Sequence, residues 1–102
     1  MILEKEIERK LTAMIHRHGG LCLKWICPGW SGVPDRILLF PGGRVYFVEL
    51  KRPEDSKVAP LQIWWRRRLE SLGFTVWHIY TDAHLANLDL ILANEINGRK
   101  GE

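Results

Sequence analysis

Asp35, Glu49 and Lys51 are charged residues set in apolar sequence. The stretch from Gly32 to Lys51 reads as a hairpin, two apolar runs around Pro41-Gly42-Gly43. Asp35 opens the first run, and Glu49 and Lys51 close the second. Residues two apart on a strand share a face. Val45, Phe47, Glu49 and Lys51 therefore point one way, and Tyr46, Val48 and Leu50 the other. Both sets are largely apolar, as in a central strand covered on both sides. With the turn at 41 to 43, Asp35 falls roughly opposite Glu49. An unpaired carboxylate buried there costs on the order of several kcal/mol, which Lys51, one pleat away, offsets in part.

Two converging carboxylates repel and hold a proton between them unless a cation intervenes. Mg²⁺ or Mn²⁺ is such a cation, and Mg²⁺ takes one or two carboxylates and keeps several waters. A bound water can attack a phosphodiester while the ion stabilises the developing charge. A lysine beside it can activate that water or neutralise charge on phosphorus. The three residues thus suit metal-assisted phosphodiester hydrolysis. They equally suit a salt-bridged hairpin end with Asp35 as a turn residue, because structural ion pairs are common.

The elements that must hold these residues are legible from periodicity. Leu3, Ile7, Leu11, Met14 and Ile15 recur at helical spacing until Gly19-Gly20. A strand follows over residues 21–26, then a Pro-Gly loop over 28–32, strands over 36–40 and 44–50, and a polar loop over 52–60 begun by Pro53. Residues 61–72 form a second helix closed by Gly73, 74–80 a fourth strand, and Asp82 N-caps a last helix to about Leu92. The order αβββαβα predicts an α/β domain, a mixed sheet flanked by helices over residues 1–96, with a polar tail over 97–102. A crossover helix makes the fourth strand parallel to one strand of the meander.

The predicted second helix carries Arg66, Arg67 and Arg68, which fan over about 200°. Arg66 lies on the Gln62 side and is the best phosphate candidate. Trp65 joins an apolar stripe with Leu61, Leu69 and Leu72, while Ile63 and Trp64 fall off it. That pair marks a dimer interface, a surface for stacked bases, or a patch covered by the last helix. Ser31 and Arg36 lie near Asp35 in sequence, and Arg52 and Lys57 follow Glu49; all four are expected on a basic rim that would offset phosphate repulsion around the acidic centre, though any solvated surface carries such charges.

Pro34-Asp35 followed by Glu49-Leu50-Lys51 resembles the PD-(D/E)xK nuclease signature. The wider frame is more specific: Gly32 to Arg36, Gly43-Arg44-Val45, Val48 to Lys51, and Gln62. It resembles the VRR-NUC domain in its small stand-alone form, from about residue 4 to residue 82. The resemblance implies a restriction-endonuclease-like core, Mg²⁺ or Mn²⁺ as cofactor, and DNA cleavage. It further implies action on branched or flapped DNA, a homodimer, and a source in bacterial viruses. Asp35, Glu49, Lys51 and Gln62 would be catalytic, with Asp35, Glu49 and the Leu50 carbonyl on the metal. Related nucleases add an acid from the first helix, where Glu4, Glu6 and Glu8 compete. Glu6 projects away from the apolar stripe and Glu4 sits in the first turn, so Glu8 is preferred. All three also read as solvated acids favoured by the helix dipole.

The composition permits this reading. The chain has 102 residues, 46% hydrophobic and 26% charged, enough for one domain. Fifteen Lys and Arg against 12 acids give +3, which suits nucleic acid without requiring it. No apolar run reaches the roughly 18 residues of a membrane span, and no signal-like segment opens the sequence, so a cytoplasmic protein is expected, bacterial or host-cell if viral. Cys22 and Cys27 fit no redox or zinc spacing and read as free thiols. A flap-type repair nuclease, or a catalytically silent DNA-binding module on the same fold, remains the alternative.

Overall fold

The computed structural model describes residues 4–50 and 60–97. Lys51, Arg52 and Lys57 lie outside the described residues. Helix α1 (Glu4–Arg17) buries Ile7, Leu11, Met14 and Ile15, the residues whose spacing predicted it. Its end is a Schellman motif: Gly20 N–H donates to the Ile15 carbonyl and Gly19 N–H to that of His16, with Gly19 at φ 81°. Gly20 then passes so close to β2 that a Cβ would lie 2.6 Å from the Phe40 ring.

Strands β1 (Leu21–Lys24), β2 (Arg36–Phe40) and β3 (Arg44–Glu49) form an antiparallel meander. Helix α2 (Pro60–Ser71) crosses over to β4 (Thr75–His78), which pairs parallel with β3, giving the sheet order β1-β2-β3-β4. Helix α3 (Asp82–Leu92) and a π-helical turn (Ala93–Asn97) complete the described chain. The sheet is therefore mixed and flanked by helices, in the expected order.

Alternation divides the sheet into two faces. Leu38, Phe40, Tyr46, Val48, Leu50 and Ile79 pack under α1 and α3 as the main core. The two helices are tied by Lys10–Asp82 at 3.0 Å and His18–Asp89 at 2.6 Å. The π-turn docks on β3, where Arg44 donates to the Glu95 carbonyl and Tyr46 to its carboxylate. The opposite face, with Phe47 and Glu49, lies on the α2 side, where Trp25 packs on Phe47 and on Trp65.

Four details differ from the expected boundaries. β1 stops at Lys24, because the chain leaves the ladder once Trp25 N–H has bonded the Asp35 carbonyl. β4 is confined to residues 75–78. The N-cap of α3 is Thr81, not Asp82: Thr81 is extended and its hydroxyl accepts the His84 N–H. Of the predicted α2 stripe only Leu69 is buried, while Leu61 and Leu72 are exposed at its two ends. Cys22 and Cys27 are free, and burial raises the Cys22 thiol pKa. Among the described residues no helix is long and apolar enough to cross a membrane.

Candidate active site

The hairpin register sets the two acids against each other. Arg36 pairs with Val48, so the next step along the ladder brings Asp35 to Glu49. The Asp35 carboxylate accepts the Leu50 N–H at 2.8 Å. That main-chain bond fixes the carboxylate at the end of β3, beside a Glu49 that is only 5% exposed. Two hard oxygen donors at one strand end, one of them held by the backbone, fit a small divalent cation that keeps several of its waters. Among the described residues no cluster of three or more His, Cys, Asp or Glu side chains gathers as a ready cage.

Helix α2 bears on this strand end through the loop before Asp35. Gly32 has φ 85°, and a Cβ on it would lie 2.7 Å from Leu61 Cβ and 3.1 Å from the Gln62 nitrogen. Only glycine fits that approach, and the contact ties the start of α2 to the Asp35 end of the sheet. Gln62 is half-buried there and engaged. One turn on, Arg66 is exposed and pairs with Glu70 at 3.0 Å.

β4 contributes a group that sequence reasoning missed. His78 stands opposite Glu49 in the parallel ladder, and Ile79 N–H donates to the Glu49 carbonyl at 3.0 Å. His78 Nδ1 lies 2.9 Å from the Tyr80 hydroxyl, and Tyr80 N–H donates to His84 Nδ1 at 3.0 Å. Neutral His84 therefore carries its proton on Nε2. Burial, then the Arg66 charge, lowers the His78 pKa from 6.5. Burial, then the Glu49 charge, raises that of Tyr80 from 10.0. The signal was the alternation of His78 and Tyr80, but only the β3–β4 register shows that their shared face is that of Glu49.

One predicted position needs correction, and a second residue has a partner not expected from sequence. Arg36 is not on a basic rim. It is 6% exposed, and its guanidinium meets the Glu8 carboxylate and donates to the Asp35 carbonyl at 3.2 Å. Its side chain follows the Leu38 and Phe40 face, the one under α1, as strand alternation requires. Glu8, expected on the metal, is paired with Arg36 on that face. Glu6 is exposed. Ser31 is exposed too, and its carbonyl accepts the Trp65 indole N–H at 3.0 Å. Ile63 and Trp64 remain 38% and 50% exposed, because α3 packs on the other face and cannot cover them.

No protein-family model matches the chain. It is similar to "Putative nuclease p44" of Acyrthosiphon pisum secondary endosymbiont phage 1, 40% identical over 76 residues, which cover 74% of this chain and 81% of that protein. A solved structure described as a VRR_NUC domain superposes with a TM-score of 0.76 at 28% identity, over 83% of this chain and 91% of the other.

Proposed function

The chain belongs to the VRR-NUC nuclease family, and from that premise we propose that it is a metal-dependent endonuclease acting on branched DNA. The observation that supports the reading is the hairpin register, whose next step past Arg36–Val48 sets Asp35 opposite Glu49, with Asp35 held on the Leu50 N–H at 2.8 Å. Mg²⁺ or Mn²⁺ between them would supply a water acidic enough to attack phosphorus and a positive charge for the transition state. Asp35 and Glu49 would hold the ion, joined by the Leu50 carbonyl. Lys51, next in sequence, is assigned from its residue type to the attacking water or the phosphorane charge. Gln62 orients water or a phosphate oxygen from the α2 side. Arg66, exposed one turn further along, takes a flanking phosphate. Glu8 acts at one remove: it neutralises buried Arg36, which steadies the main chain at Asp35.

The preference for branched substrates rests on family resemblance and on the absence, among the described residues, of an element shaped to read a groove. A homodimer would set two such centres on two strands of a junction.

The test is cleavage of end-labelled four-way junction, flaps, linear duplex and single strand, with Mg²⁺, Mn²⁺ or chelator, beside Glu49→Gln. Paired incision of the junction, lost in the variant and in chelator, is the expected result. Metal-independent binding with no incision of any substrate would make the protein a silent DNA-binding module. Sedimentation of the free protein at the mass of one chain would remove the dimer from the reading.

A further inference from the structure

A cleft of about 370 Å³ opens between the loop before Asp35 and the start of α2, lined by Gly29, Trp30, Ser31, Leu61, Trp64 and Trp65. Trp65 is its fixed element. Its indole N–H is bonded to the Ser31 carbonyl, and it rests on Trp25, which rests on Phe47 of β3. Trp30 and Trp64 each stand nearly perpendicular to Trp65, at 84° and 88° with ring centroids 5.7 and 5.1 Å away. They are 60% and 50% exposed. Edge-on packing of this kind leaves ring faces without a stacking partner. Apolar surface gathered so densely on a small soluble domain marks a binding site.

The surroundings select the occupant. The cleft adjoins a hollow that shares Trp64 and is lined by Arg67 and Arg68, and among the described residues no acidic side chain lines either one. An aromatic ring carried on an anionic chain matches both halves. A second copy of this chain matches less well, since it is itself cationic at +3. The volume is at the small end of the roughly 300 to 1,000 Å³ of ligand clefts, room for one ring system and not for a helix. The Gly32–Leu61 contact closes the cleft against the segment that leads directly into Asp35.

We propose that the Trp30–Trp64–Trp65 cleft holds one unpaired nucleobase next to the phosphodiester that the Asp35–Glu49 centre attacks. This deepens the nuclease reading and rests on it. A fully paired duplex keeps its bases stacked and offers none to the cleft. A branch point, flap or frayed end offers one at little energetic cost, so the cleft selects substrate by the presence of an unstacked base and not by sequence.

The experiment uses the full chain carrying Glu49→Gln, in chelator, so that binding is read without cleavage. Affinity is measured by anisotropy for a flap and for the matched duplex, with 2-aminopurine at the branch point reporting stacking. Trp30→Ala is expected to weaken flap binding by about 5- to 150-fold, the alanine-substitution range for one stacked base, and to leave duplex binding unchanged. Trp64→Ala shifts it in the same direction, and both variants lose the 2-aminopurine quench. Trp30 is largely exposed, so its variant keeps the parent melting temperature. Equal loss on flap and duplex, unchanged binding to both, or an unchanged quench overturns the proposal. So does a change of sedimenting mass with DNA binding intact, which would make the cleft a contact between copies. A parent that binds no DNA overturns the cleft and the nuclease reading together. Flap-selective quenching in a protein that cleaves nothing would keep the cleft and discard the nuclease.

Discussion

The Asp35 carboxylate has two duties, and they separate by substitution. One oxygen accepts the Leu50 N–H at 2.8 Å, and Leu50 is only 3% exposed. Asp35→Ala leaves that donor buried without its partner, a loss of about 1 to 3 kcal/mol. Asp35→Asn keeps a carbonyl oxygen of the same reach, so it retains most of the bond while removing the charge. For a domain of this size each kcal/mol moves the melting temperature by about 4 to 8 °C. At the middle of the range, Asp35→Ala should melt roughly 10 °C below Asp35→Asn in chelator. Both should lose cleavage and the upward shift of melting temperature that millimolar Mg²⁺ or Mn²⁺ gives the parent. Circular dichroism melts with and without metal measure all of this. Equal melting of the two variants would show that the Leu50 bond contributes nothing, and the argument from held carboxylate to preformed site would fail. A full metal shift in Asp35→Asn would remove Asp35 from the metal.

Two further outcomes test the neighbours of the site. Glu8→Gln should destabilise by about 1 to 3 kcal/mol, less than a fully buried pair because Glu8 is half-exposed, while Arg36→Met should be milder since it removes the buried charge itself; metal affinity should fall by no more than the roughly 10- to 100-fold of an outer-shell partner, and its complete loss in Glu8→Gln would make Glu8 a ligand. His78 binds its proton less readily folded than unfolded, being lowered from 6.5 by burial and by Arg66. The unfolded chain therefore holds more protons just below pH 6.5, so this contribution is complete above that value and is lost as pH falls through the lower native pKa. Melting of the metal-free protein should fall across that window more steeply than melting of His78→Gln, and parallel curves would refute the assignment.

The parts legible in the sequence were those set by local periodicity. The alternation Val45 to Leu50 placed Glu49 on one face and Leu50 on the other, and the short turn at 41–43 fixed which residue met Glu49. Both follow from period and loop length, which tertiary packing does not alter. The helix end at Gly19-Gly20 was equally local. Arg36 was misread because its partner Glu8 lies on another element: alternation with Leu38 and Phe40 gives its face, but not the carboxylate that lets a guanidinium be buried there. The α2 stripe misled for a related reason: helical period says which residues share a side, not how much of the side is covered. His78 and Tyr80 became site neighbours only through the register of β4 on β3, which a crossover leaves open.

The placement of the two acids has a consequence for how the chain folds. Asp35 and Glu49 belong to a hairpin closed by a short turn, so they meet through contacts close in sequence. Hairpins of this kind form in about 1 to 10 μs, whereas β4 must wait for a whole crossover to close. Contact order therefore predicts that the acidic pair assembles in the early half of the folding reaction, with Arg36 and the meander. On the same argument Gln62, His78, Tyr80 and the tryptophan cleft would arrive with the later half. Like charges brought together before their surroundings form make a local brake on folding, one that a divalent cation in the refolding buffer would release.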